Sequence, residues 1–184
     1  MRVEPIRDKD LIKDCMIYLN YKNPRNKVLF AIGIYTGLRI SDILTLRVND
    51  VYKKNRIEVK QKKTGSYVYI PINKELKKII KDYVEYKELK PYDYLIKSRQ
   101  GNNKPLSRNQ AYNILNDMAD YFKIDSVGTH TMRKTAGYNL YNVSGKDVGL
   151  VMQVLGQKDP GSTLRYIGVT DLDIDKSMRK LSYL

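Results

Sequence analysis

Hydrophobic positions recur at helical spacing along most of the chain and switch to strict alternation once, a pattern that predicts helices packed around one small sheet. Leu11, Ile12, Cys15, Met16 and Leu19 share a face of a helix that Asp8 or Asp10 can cap and that runs to about Asn20. Asn23-Pro24 ends that helix and starts the next. From Lys27 onward, residues 28–35 are apolar on nearly every side, which predicts a helix buried most of the way round. Gly37 stands where a left-handed C-terminal residue is wanted, so Arg39 emerges at a turn. Ser41 can cap a short helix containing Ile43, Leu44 and Leu46, with Asp42 in its first turn, where an acidic group complements the helix dipole. Ile57, Val59 and Gln61 then alternate with charged residues, residues 62–66 turn, and Val68 and Ile70 alternate again before Pro71, which predicts a β-hairpin. Tyr94, Leu95 and Ile96 are the candidate third strand. Asn73 is placed to cap a helix with Leu76, Ile79, Ile80, Tyr83 and Val84 on one side and lysines 74, 77, 78, 81 and 87 mostly on the other, a solvated face. Helices are further predicted from Ser107 through Tyr121, over 130–141, over 144–155 with Gly156 ending it, and roughly over 162–169. Ile174, Met178 and Leu181 give a last amphipathic segment. The architecture expected is α+β: a mostly helical domain with a small antiparallel three-stranded sheet.

A chain of 184 residues is long enough for one well-buried domain, and halving it would leave two marginal cores, so residues 1–184 are read as one unit. Lysine and arginine number 34 against 20 acidic residues, a formal charge of +14 spread along the chain, which points to a polyanionic partner. Charge alone does not separate nucleic acid from an acidic membrane. The longest apolar run, residues 28–35, is far shorter than the ~20 residues that cross a bilayer, and no signal-peptide pattern opens the chain, so no membrane partner is expected. Cys15 is the only cysteine and His130 the only histidine, which excludes an intramolecular disulfide and the usual zinc ligand sets. No metal or other cofactor is called for, and Cys15 is expected to be a small buried side chain.

Four short patterns carry the candidate chemistry. They are Thr36-Gly37-Leu38-Arg39-Ile40-Ser41-Asp42-Ile43-Leu44, the hairpin's Lys63-Thr64-Gly65, Gly128-Thr129-His130-Thr131-Met132-Arg133, and Leu155-Gly156-Gln157 followed by Tyr166. In this order they resemble the catalytic domain of the tyrosine recombinases, the phage integrase family, over nearly the whole chain. Phosphoryl displacement gathers negative charge on the equatorial oxygens, so its catalysis is largely positioning plus cationic donors, and guanidinium matches two phosphate oxygens as no ammonium can. The resemblance implies that Arg39 and Arg133 grip the non-bridging oxygens and that Tyr166 attacks phosphorus to leave a 3′-phosphotyrosine and a free 5′-hydroxyl, without ATP. A phenol with a pKa of ~10 needs a base and nearby positive charge to react, and His130 is the candidate base. Sixteen tyrosines are present. Chemistry does not choose among them, and Tyr166 is selected by its place after Leu155-Gly156-Gln157.

By the same resemblance a hairpin lysine protonates the leaving 5′-oxygen. Lys63 takes that post, with Lys62 the neighbouring alternative, and both are candidate DNA contacts. Gln157 stands where most relatives carry histidine or tryptophan; its amide can donate to a phosphate oxygen but cannot exchange protons. Asp42 matches the family's acidic residue and is expected to orient rather than react. Only residues 1–38 precede Arg39, too few for the helical DNA-binding domain that relatives carry there, so the chain is either a fragment or a one-domain member. The partner implied is double-stranded DNA, with assembly into a tetramer on DNA through residues 171–184 and accessory DNA-bending proteins as further expectations; the same residues can alternatively fold back on their own domain. The expected setting is the cytoplasm, at the nucleoid. The leading reading is a site-specific strand-transferase acting in integration, excision or resolution. The alternatives are a non-cutting DNA-binding regulator on the same scaffold and a type IB topoisomerase-like relaxing enzyme.

Overall fold

The Asp8 carboxylate accepts from the backbone amides of Asp10 at 2.8 Å and Leu11 at 3.3 Å, and so opens helix α1 (Lys9–Lys22). Asn23 closes α1 and caps α2 (Pro24–Thr36), its side chain accepting from the Arg25 amide at 3.0 Å, with Pro24 in the first turn where its missing N–H is no loss. The structure, a computed structural model, describes residues 3–60, 65, 67–125, 127–169, 173, 175 and 178–182.

Val28, Leu29, Phe30, Ala31 and Ile32 in α2 are all buried, as the unbroken apolar run predicts, and α1, α5 (Lys74–Tyr86) and α7 (Thr131–Val143) pack around it. Between α2 and α5 the chain makes two four-residue helices, α3 (Ile40–Ile43) and α4 (Val48–Val51), and an antiparallel hairpin of β1 (Arg56–Lys60) and β2 (Tyr67–Pro71). The hairpin pairs Ile57 with Ile70 and Lys60 with Tyr67. Ile57 and Val59 face the core while their neighbours face solvent. Asn73 caps α5 through the Leu76 amide at 2.8 Å, and all five lysines on and after that helix are exposed. Ser107 opens α6 (Arg108–Phe122) with a reciprocal box, Ser107 and Gln110 each accepting from the other's backbone amide at 3.2 Å.

Three expectations are corrected, and one helix was not foreseen. Among the described residues the sheet has two strands, because Tyr94 makes an isolated bridge to Arg47 and the Leu95 amide donates to the Leu46 carbonyl. Leu95 and Ile96 are both fully buried, so this segment is wedged between loops and lacks the one-sided burial of a sheet strand. Ser41 lies inside α3, where Arg39 holds the N-cap position. The helix expected over 144–155 begins at Val148 as α8 (Val148–Leu155), capped by Asp147 through the Leu150 amide at 3.0 Å, since Gly145 and Lys146 adopt positive φ and cannot continue a right-handed helix. Helix α4, closed by the Arg47 amide donating to the Asp50 carboxylate at 2.7 Å, had no periodic signal because it is a single turn.

Helix α9 (Pro160–Ile167) does not join the main core. Val151, Leu155 and Ile167 form a separate small cluster with Tyr138, Leu164 and Tyr166 against α7. Gly137 permits that contact: a Cβ there would lie 2.6 Å from Ile167 Cγ2 and 2.8 Å from Leu155 Cδ1. Cys15 is fully buried, and desolvation pushes its thiol up to about 12, which keeps it inert. No helix among the described residues is long and apolar enough to cross a membrane.

Candidate active site

Arg133 organises the site. It stands in the first turn of α7, is 4% exposed, and donates Nη1 to the Gly37 carbonyl and Nη2 to the Leu155 carbonyl. Those carbonyls lie at the C-terminal ends of α2 and α8, where helices leave acceptors unpaired and carry partial negative charge. One guanidinium thus joins three helix ends. Gly37, at φ +64°, turns the chain sharply there, and a Cβ on it would stand 2.9 Å from Leu155 Cδ2. The turn delivers Arg39 to the head of α3, with its charge directed at Arg133, His130 and Tyr166.

Burial pushes the Arg133 guanidinium below its ordinary value; the Tyr166 phenol and the Asp42 carboxylate oppose the shift. Asp42 is itself buried. Ser41 Oγ approaches its Oδ1 at 3.5 Å, and Oδ2 has no hydrogen-bond partner among the described residues. Asp42 is one of the charges that act on the Arg133 guanidinium.

His130 occupies the N-cap position of α7, on a turn closed by the Thr131 amide donating to the Gly128 carbonyl and the Gly128 amide donating to Thr131 Oγ1, both at 2.9 Å. Its Nδ1 lies 3.3 Å from Tyr166 Oη. Burial, then the charges of Arg133, Lys134, Arg108 and Arg39, hold the imidazole below its usual pKa. The shift favours the neutral imidazole, whose Nδ1 accepts from the phenol in the tautomer protonated at Nε2. Burial raises the Tyr166 phenol above 10, while the charge and hydrogen bond of Arg133 and the charge of Arg39 pull it back. The phenol is therefore protonated at neutral pH. Asp159 caps α9 through the Ser162 amide at 2.5 Å, and Gly168, left-handed at φ +81°, ends the helix two residues past Tyr166.

The structure thus brings His130, Arg133 and Tyr166 together, with the charges of Arg39 and Asp42 acting on Arg133. Gln157 is half-buried just after Gly156, two residues beyond the carbonyl that Arg133 holds, its amide donating to the Met152 carbonyl at 2.9 Å. Lys62 and Lys63 lie outside the described residues, although the hairpin that carries them is in place. One residue of the site had not been singled out. Lys134 is buried, with Nζ 5.3 Å from the centre of the Tyr166 ring. Its spacing four residues after His130, on the same helical face, was the available signal.

A helical domain that sets a tyrosine against a histidine and two arginines has the site of a DNA strand-transferase. The chain matches the phage integrase family over residues 8–172, and it belongs to that family. It is a site-specific recombinase, an enzyme of strand cleavage and rejoining. It is 41% identical over 169 residues to the probable integrase/recombinase YoeC of Bacillus subtilis, covering 92% of this chain and 91% of that protein. With the tyrosine recombinase XerC of Staphylococcus epidermidis it shares 28% identity over 162 residues, 85% of this chain but 53% of XerC. The fold matches the XerH site-specific recombinase, solved bound to palindromic difH substrate in a post-cleavage complex, with a TM-score of 0.75 at 18% identity, over 97% of this chain and 54% of that one.

Proposed function

We propose that this recombinase cuts one strand of a DNA duplex by in-line attack of Tyr166 Oη on a backbone phosphorus. The Oη–P bond forms as the P–O5′ bond breaks; the phenol proton passes to His130 Nδ1, and the departing 5′-oxygen takes a proton from Lys63. Lys62 is the neighbouring donor. Arg39 and the donors of Arg133 not engaged with carbonyls hold the non-bridging oxygens, Gln157 adds a neutral donor, and Asp42 orients Arg133. The 3′-phosphotyrosine keeps the phosphodiester's energy for rejoining, so no ATP is consumed. The observation that carries this reading is the 3.3 Å approach of His130 Nδ1 to Tyr166 Oη beside a buried arginine. The test is a nicked duplex whose released short strand cannot return, with covalent protein–DNA resolved on a denaturing gel. An adduct with the native chain and none with Tyr166→Phe is expected; an adduct that survives the substitution moves the nucleophile to another tyrosine.

The same proposal includes assembly on DNA through the C-terminal segment. Met178 is 61% and Leu181 54% exposed, so each apolar side chain keeps more than half of its surface open to a partner. A groove of about 700 Å³ between α1, α2 and α5 offers Ile12, Met16, Ile34 and Ile79 to an apolar segment, and its four lysines outnumber its two acidic residues, Glu75 and Asp82, opposite a segment that carries Asp171, Asp173 and Asp175. Met178→Glu with Leu181→Glu should leave DNA binding by one protomer intact and abolish higher complexes in sedimentation on DNA carrying two sites.

A further inference from the structure

Lys134 carries a buried charge that the strand-cleavage chemistry does not use. An ammonium removed from water is costly unless its donors are engaged. Lys134 Nζ donates to the Val3 carbonyl at 2.6 Å and lies over the Tyr166 ring, within the distance at which a cation is drawn to the negative face of an aromatic ring. The Val3 carbonyl is held in turn by a strap running across the site's flank. The Ile6 amide donates to the fully buried Thr135 Oγ1 at 2.9 Å, and Arg7 Nη2 donates to the Gly168 carbonyl at 2.6 Å, at the end of the nucleophile's helix. The strap therefore touches α7 at residues 134 and 135 and α9 at its cap, and Lys134 links it to the reacting ring.

We propose that Lys134 is a positioning residue for strand cleavage: its ammonium, anchored on the Val3 carbonyl, holds the Tyr166 ring so that the phenol oxygen stays beside His130 and Arg133. This rests on Tyr166 as the nucleophile. The charges that face the His130–Tyr166 pair are Arg133 and Lys134 on α7, Arg39 at the head of α3 and Arg108 on α6, with Asp42 facing Arg133. Within that set Lys134 lies over the ring's face, its Nζ 5.3 Å from the ring centre. It also helps to hold His130 neutral, so that its loss alters both the reach of the phenol and the readiness of the base.

The experiment compares the full chain with Lys134→Met and Lys134→Arg. Adduct formation is followed on the nicked duplex in single turnover at saturating DNA, beside a DNA-binding isotherm, a melting curve and a pH profile. Lys134→Met should lower the cleavage rate by on the order of 10²-fold, the cost of a small misplacement of a reacting group, without weakening DNA binding, and should move the acid limb of the profile to higher pH. Lys134→Arg, which keeps a charge and a donor, should recover much of the rate. His130 is the only histidine, so its ring proton reports independently of cleavage: in an NMR titration Lys134→Met should raise the His130 pKa toward its ordinary value. Unchanged rate and unchanged His130 titration in a folded Lys134→Met protein would overturn the proposal. So would a loss confined to DNA affinity, which would make Lys134 a phosphate contact. An adduct retained by Tyr166→Phe would instead overturn the nucleophile on which the proposal rests, so the two failures are told apart.

Discussion

Arg133 combines a structural role with a chemical one. Its guanidinium bridges the Gly37 and Leu155 carbonyls while presenting its remaining donors toward Tyr166, and lysine can fill neither role with a single point charge. Arg133→Lys should therefore leave at least one buried carbonyl unpaired, at a cost of about 1–3 kcal/mol, and lower cleavage by about 10²-fold or more. Melting curves and single-turnover adduct formation read the two effects separately. As the proposed base, His130 sets the pH response. Burial and four neighbouring cations hold its pKa below the ordinary value, so the cleavage rate should fall only as pH drops through that depressed value. A rate between pH 5 and 8 that is half-maximal above 6.5 would show that His130 is not the base. At Gln157, histidine restores a group able to exchange protons, and Gln157→His is expected to retain or raise the cleavage rate; a large loss would remove residue 157 from the phosphate's surroundings.

At the scale of elements, the position of Tyr166 depends on how closely α9 lies on α7. Gly137 sets that spacing, since any side chain there meets Ile167 and Leu155 inside van der Waals contact. Gly137→Ala should cost about 1–3 kcal/mol of stability through overpacking. It should also slow cleavage by more than a matched loss of stability elsewhere, for example at exposed Val143, because α9 must shift as one body with Tyr166. Helix ends whose caps are local were readable in advance: Asn73 makes the side-chain cap expected of it, Asp8 makes the one expected of Asp8 or Asp10, and Asn23 and Ser107 cap helices expected to start there. The misread elements share a cause. Ser41, the start of α8 and the strand at 94–96 were assigned from single residues or three-residue runs, where neighbouring loops outweigh local preference.

For the whole molecule, a charge of +14 directed at a polyanion makes affinity a matter of counter-ion release. If the chain neutralises 6–10 phosphates, its association constant for DNA should fall by about 10³–10⁵-fold between 50 and 200 mM salt; a flat response in a fluorescence titration would exclude phosphate contacts as the main source of affinity. The molecule also divides its burial in two. The main core fixes Arg39 and the start of α7, while the small cluster of Val151, Leu155 and Ile167 carries the tyrosine. Arg133, clamped to the ends of α2 and α8, is the polar joint between them.

The order of chemical groups along the chain and the helical character of the domain were set by the sequence alone, because periodic burial and side-chain caps act over a few residues. Arg39, His130, Arg133 and Tyr166 were likewise identifiable from local patterns. Their convergence was decided only by tertiary structure: Arg133 finds its carbonyl partners 96 and 22 residues away, and Lys134 finds its acceptor 131 residues away in the N-terminal strap. Contacts of that separation depend on how helices dock, and docking is governed by close approaches such as those at Gly37 and Gly137, which a string of residue types does not display.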